Sequence, residues 1–168
     1  NMINPNTAIF LDRDGVINKE KDDYVKSVGE LEIFPYVGNS IKKIHELGFL
    51  AIVITNQSAI NRGLTTHENI IMIHDQIQES LKPFQTKIDA FYYCPHMPKE
   101  SCSCRKPKTG LILKAAATWE INLESSWVFG DSDSDVIAGK SVGCKTTKIT
   151  PNFNLQNAVE QVEELLTK

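Results

Sequence analysis

The side chains in this chain best suited to chemistry follow short apolar runs. Phe10-Leu11-Asp12-Arg13-Asp14-Gly15 carries two carboxylates two residues apart. Side chains alternate along an extended segment, so Asp12 and Asp14 are predicted to project one way and Arg13 the other. Adjacent carboxylates raise each other's pKa unless a cation or a shared proton relieves them. Further acids stand in Gly130-Asp131-Ser132-Asp133-Ser134-Asp135. If the two groups converge, a hard dication with oxygen ligands is the natural partner, and magnesium suits such a site with phosphate substrates. Taken singly, each motif could be a loop or a helix cap. Together with Thr55-Asn56 after another apolar run, and Lys106 in the basic turn Arg105-Lys106-Pro107-Lys108, they amount to more. Phosphoryl transfer needs a nucleophile, a proton donor, a metal and groups that neutralise phosphate oxygens. All are on offer.

Other nucleophile schemes fail. The chain has no Gly-rich loop ending in Gly-Lys-Ser/Thr and no G-x-S-x-G elbow. No cysteine is followed six residues later by the arginine of a thiol phosphatase loop. His45, His67 and His74 fall within helical stretches and read as surface or helix-packing residues.

A second constellation is Cys94-Pro95-His96 with Cys102-Ser103-Cys104. Three thiolates and an imidazole make a closed tetrahedral set, the signature of structural rather than catalytic zinc. Zn2+ bound by Cys94, His96, Cys102 and Cys104 would pin loop 94–104 and seat Arg105 and Lys106 at the site's mouth. Cys144 stands apart and reads as a small buried hydrophobe.

The elements that must position these residues alternate between strands and helices. Strands are predicted at 7–11, 49–54, 89–93, 127–129 and 146–149, and helices at 36–47, about 65–82, 110–119, about 134–142 and about 154–167. Thr65 and Glu68 have capping-box spacing, which sets the expected start of the second helix. Near-continuous apolar strands alternating with helices imply an α/β three-layer sandwich around a mainly parallel sheet of five or six strands. Such sheets bind ligands beyond the carboxyl ends of their strands, which is where Asp12, Thr55, Cys94 and Asp131 fall.

With these residues in order, the chain resembles the haloacid dehalogenase (HAD) superfamily of phosphatases. Asp12-Arg13-Asp14-Gly15 resembles its first motif, Thr55 the second, Lys106 the third and Gly130 to Asp135 the fourth. The resemblance spans roughly residues 8–149. It implies a HAD-like Rossmannoid fold in which Asp12 attacks phosphorus and Asp14 handles the leaving-group and water protons. It further implies that Asp12, the backbone carbonyl of Asp14 and Asp131 hold Mg2+, and that Thr55 and Lys106 bind the phosphoryl group. Asp135 becomes a structural or outer-shell acid. Within the superfamily, the segments 10–18, 24–25, 55–63 and 92–96 are similar to heptose 1,7-bisphosphate 7-phosphatases. That likeness implies substrate contacts from Asn56, Arg62 and Arg105. Ala59 and Ser132 depart from it, standing where a Gly and a Lys are common. The alternative is a histidinol-phosphate phosphatase, whose zinc-loop spacing is similar; a polynucleotide 3′-phosphatase and an inactive zinc-stabilised binding module come after it.

Length and charge bound the rest. The 168 residues suit a single domain, 1–168, and the stretch from Lys19 to Phe34 is too short for a separate cap domain. A net charge of −3 attracts neither nucleic acid nor anionic membranes. No apolar run approaches the roughly 20 residues of a membrane span, and Asn1 to Asn6 lack the features of a signal peptide. A cytoplasmic monomer acting on a small sugar phosphate is expected.

Overall fold

The computed structural model describes residues 5–168; Asn1 to Asn4, part of the segment on which the signal-peptide reading rests, lie outside the described residues. Five strands form one fully parallel sheet in the order β3-β2-β1-β4-β5: β1 (Thr7–Leu11), β2 (Phe49–Asn56), β3 (Ala90–Cys94), β4 (Trp127–Gly130) and β5 (Lys145–Lys148). Helices α1 (Val37–Glu46), α2 (His67–Leu81), α3 (Gly110–Trp119), α4 (Asp133–Ser141) and α5 (Leu155–Leu166) cover it.

Strand alternation sorts the core into two layers. Ile9, Leu11, Ala51 and Val53 face α1, α2 and α5, packing with Ile41, Ile73 and Val159 among others. Ala8, Phe10, Ile52 and Ile54 face α3 and α4, meeting Ile112, Ala115 and Ala138. This is the expected three-layer sandwich. Ile41 and Ile73 are fully buried, and truncating either to Ala would cost about 2–5 kcal/mol.

Several boundaries shift for local reasons. The α2 N-cap is Thr66 rather than Thr65, since Thr66 Oγ1 accepts from Asn69 N at 3.1 Å. Thr65 Oγ1 instead donates to the Lys26 carbonyl at 2.6 Å, tying the preceding loop down. β2 runs on to Asn56 because that residue still pairs with Cys94. β3 starts one residue late: Asp89 brackets Ala51, its amide donating to the Ala51 carbonyl and its carboxylate accepting from the Ala51 amide, both at 2.8 Å. Among the described residues no helix is long and apolar enough to cross a membrane. Residues 19–34 hold a short 3-10 turn (Val28–Glu30) and a single bridge from Ile33 to Asn18, and among the described residues no separate cap covers the sheet's carboxyl end.

Candidate active site

Four strand exits converge at that end. The Asp12 amide donates to the Phe129 carbonyl at 3.0 Å, which locks the β1 exit beside β4. The chain then turns at Gly15, whose φ of +85° belongs to the region glycine tolerates best. A cavity of about 370 Å³ opens there, lined by Asp12, Asp14, Asn56, Lys106 and Asp131. Glu20, Lys21, Tyr24 and Ser132 are among the residues of its rim. A larger open groove of about 890 Å³, lined by Lys42, His45 and Asp89 among others, holds no comparable cluster of acids.

Lys106 is the electrostatic hinge of the cavity. Its Nζ donates to the Ile54 carbonyl at 2.7 Å and to Asp135 Oδ1 at 2.5 Å, and lies 3.2 Å from Asp12 Oδ1. Burial pulls the ammonium pKa down, but the Asp12 and Asp135 charges outweigh it and hold the pKa above its usual value. Asp12 is pushed well up, first by burial and then by Asp135, Asp14 and Asp131, with Lys106 opposing. Asp131 is also raised, chiefly by burial, although hydrogen bonding to Asp12 works against the shift. Oxygens of Asp12, Asp131 and Asp135 lie within 4.8 Å of one another. Carboxylates so crowded, with Asp12 and Asp131 pushed up by burial, fit a hard divalent ion. Asp135 is the least available of the three. Its Oδ1 takes Lys106, and its Oδ2 accepts from Ser132 N at 3.2 Å and Ser132 Oγ at 2.8 Å in a capping box for α4.

Asp14 behaves in the opposite way. Burial raises its pKa, but the Arg13 charge and hydrogen bonds from Asn18, Arg13 and Gln57 bring the net shift below the ordinary value. Arg13 Nη2 and Asn18 Nδ2 each reach Oδ1 at 2.9 Å, and Gln57 Nε2 reaches Oδ2 at 2.9 Å. The same Gln57 nitrogen donates to Thr55 Oγ1 at 2.9 Å. Thr55 is therefore fully buried and linked to the cavity through Gln57.

The residues expected to touch substrate divide. Asn56 lines the cavity but spends its amide on the Lys106 backbone, donating to the carbonyl at 3.2 Å and accepting from the amide at 3.0 Å. Arg62 and Arg105 lie outside that lining. Arg62 packs over the Tyr24 ring at 5.7 Å and donates to Ser58 Oγ at 3.1 Å; Arg105 donates to the His96 carbonyl at 3.1 Å. Sequence reasoning missed Gln57, Glu20 and Arg13. Gln57 could have been found, since it follows Thr55-Asn56 at a strand exit. Glu20 leans on Asp131 from a loop without periodicity.

Beside the cavity, single ligand atoms of Cys94, His96, Cys102 and Cys104 also lie within 4.8 Å of one another. The His96 Nδ1 is 3.3 Å from the Cys94 sulfur and 3.2 Å from that of Cys104, and the two sulfurs touch. Soft donors in this number and proximity suit zinc. The loop is pressed onto α3, where Gly110 N donates to the Ser103 carbonyl at 2.8 Å and a side chain at 110 would overlap that carbonyl. Cys144 is buried in the same half of the core as Cys94, and desolvation pushes its thiol up to about 11.

Comparison with known proteins agrees with this geometry. A family model described as HAD-hydrolase-like matches residues 103–163. A D-glycero-beta-D-manno-heptose-1,7-bisphosphate 7-phosphatase of Helicobacter pylori is 42% identical over 144 residues, 85% of this chain and 83% of that protein. The Pseudomonas aeruginosa enzyme of the same name is 34% identical over 139 residues, 83% of this chain and 78% of that one. A crystal structure of D,D-heptose 1,7-bisphosphate phosphatase from B. bronchiseptica, complexed with magnesium and phosphate, superposes with a TM-score of 0.87. It is 28% identical, with 95% of this chain and 99% of that one covered.

Proposed function

The chain belongs to the heptose-1,7-bisphosphate 7-phosphatase family of HAD-like phosphatases, and from that membership we propose that it removes the 7-phosphate of D-glycero-D-manno-heptose 1,7-bisphosphate. The observation that carries the reading is the meeting of Asp12, Asp14, Lys106 and Asp131 around one cavity. Asp12 is the nucleophile, its oxygen bonding to phosphorus to give an aspartyl-phosphate. Asp14 gives the leaving sugar oxygen a proton and later takes one from the attacking water. Lys106 and Thr55 bind the transferring phosphoryl group, and Lys106 offsets its charge.

Mg2+ held by Asp12, the Asp14 carbonyl and Asp131 would supply charge neutralisation for the phosphate oxygens. Asp135 orients Lys106 and stays outside the metal shell. Zn2+ on Cys94, His96, Cys102 and Cys104 is structural: it fixes the loop that ends at Arg105 and Lys106. Asn56 acts by holding Lys106 in place, while Arg62 and Arg105 shape the rim through Tyr24 and the zinc loop. In this reading residues 1–168 work as one domain with loop 94–104 inserted, as a cytoplasmic monomer.

The test compares phosphate release from heptose 1,7-bisphosphate, histidinol phosphate and a 3′-phosphorylated oligonucleotide at equal concentration, with and without magnesium. The heptose ester should be turned over fastest, and Asp12→Asn should abolish the activity. Preference for either other substrate, or undiminished turnover in Asp12→Asn, would overturn the proposal.

A further inference from the structure

Ser134, the second residue of α4, is half-buried in the lining of the active-site cavity. It has no part in the phosphoryl transfer assigned to Asp12, Asp14 and Lys106. Its hydroxyl ends a chain of hydrogen bonds whose direction is fixed from the inner end. Asp135 is buried, and its Oδ1 accepts from Lys106 Nζ. Its Oδ2 accepts from Ser132 Oγ at 2.8 Å. A serine hydroxyl owns one proton and two lone pairs, so Ser132 has spent its proton on Asp135. In the 2.7 Å contact between Ser132 Oγ and Ser134 Oγ, Ser134 is therefore the donor and Ser132 the acceptor. Ser134 has then spent its own proton as well. What it offers the cavity is lone pairs alone.

A group of that kind selects among ligands. The oxygens of a phosphate dianion are acceptors only and gain nothing from it, whereas a sugar hydroxyl brings the proton it lacks. We propose that Ser134 is a specificity-determining residue that accepts a hydrogen bond from a hydroxyl of the leaving sugar. The inference rests on the function proposed above, in which the leaving group is a polyol. Asp135 binds Lys106 through one oxygen and Ser132 through the other. One buried carboxylate thus holds both the cation for the phosphoryl group and, through Ser132, the acceptor for the sugar. A hydroxylated phosphomonoester meets both groups and is held with its ester oxygen in register. An ester without a hydroxyl meets Lys106 only.

The experiment measures kcat/KM on heptose 1,7-bisphosphate and on p-nitrophenyl phosphate, which has no hydroxyl. This parameter covers the steps up to departure of the leaving group, so hydrolysis of the aspartyl-phosphate, common to both substrates, does not enter it. In Ser134→Ala the ratio of the heptose value to the nitrophenyl value should fall about five- to tenfold, the effect of one neutral hydrogen bond. Ser134→Thr keeps the hydroxyl and should restore most of the wild-type ratio. Residual turnover of p-nitrophenyl phosphate, with a thermal melt, reports that each variant is folded. If the wild type does not hydrolyse the heptose ester, the proposed function fails and this inference falls with it. If the wild type does, an unchanged ratio in Ser134→Ala overturns the role of Ser134 alone. That holds whether neither substrate is affected or both lose equally, as they would if Ser134 served only the metal site. Neutron diffraction of the wild-type protein checks the direction of the chain without any variant. A deuteron on Ser134 Oγ pointing at Ser132 is expected, and one pointing into the cavity overturns the proposal.

Discussion

Asp131 reaches the Asp12 carboxylate across the space that a side chain on Gly15 would fill: a Cβ built there would overlap the Asp131 carboxylate. The same glycine has φ +85°, so residue 15 is constrained twice, by backbone conformation and by the approach of an acid from β4. Gly15→Ala is expected to cost about 1–2 kcal/mol for the left-handed backbone alone, and to displace Asp131 as well. Magnesium titrations of activity should show a weakened apparent affinity together with a lower kcat. Wild-type magnesium dependence in a folded Gly15→Ala protein would show that Asp131 does not need this approach.

Asn56 grips both backbone groups of Lys106 across 50 residues of sequence. Asn56→Ala frees the turn, and displacements on the order of 1 Å in a positioned group can cost about 10²-fold in rate. We expect kcat/KM to fall by about 10–100-fold, with Asn56→Asp, which keeps only the acceptor, in between. A change confined to KM would instead make Asn56 a simple substrate ligand.

Asp133 and Asp135 are two residues apart but should respond very differently. Asp133 is exposed and pairs with Lys148 at 2.8 Å; exposed pairs contribute little, so kcat/KM in Asp133→Ala should stay within about twofold of wild type. Asp135 is buried against Lys106, and removing one partner of a buried pair costs about 3–5 kcal/mol. Thermal melts of Asp135→Ala should show that loss, and kcat should fall with it. Similar behaviour of the two variants would contradict the assignment.

Metal analysis of the purified protein should find about one zinc per chain, since three thiolates and an imidazole fill a tetrahedral site. Replacing Cys102 and Cys104 by Ala should remove it and lower kcat through a misplaced Lys106, two residues beyond the last ligand. Full activity in that double variant would separate the loop from catalysis.

His74 makes stability pH-dependent. Its pKa falls from the ordinary 6.5 to about 3 on folding, so between those values the unfolded chain binds the extra proton. The stabilisation is complete above pH 6.5 and is lost as pH falls toward 3, by an amount on the order of a few kcal/mol. Denaturant melts at pH 7 and pH 4.5 should show a larger drop for the wild type than for His74→Gln. Parallel curves would mean that the imidazole titrates normally in the folded protein.

The amino-acid order by itself determined the elements, because the alternation of apolar residues records which face each strand and helix buries. It also placed polar residues at the exits of apolar runs and gathered four soft ligands within eleven residues, and these local patterns survive any change in the rest of the chain. What it could not specify was partnership. That Arg13 would turn back to Asp14 and meet His74, 61 residues away, depends on α2 packing against β1. The choice of Asn56 as a clamp on Lys106, and of Gln57 as a bridge from Asp14 to Thr55, depends on β2 lying between β1 and β3. Thr66 displaced Thr65 as a helix cap because Thr65 had a better acceptor in the Lys26 carbonyl, 39 residues earlier. Hydrogen bonds of this kind are decided by distances of about 3 Å between segments far apart in the chain. Periodicity and spacing do not encode those distances; only the packed sheet and helices set them.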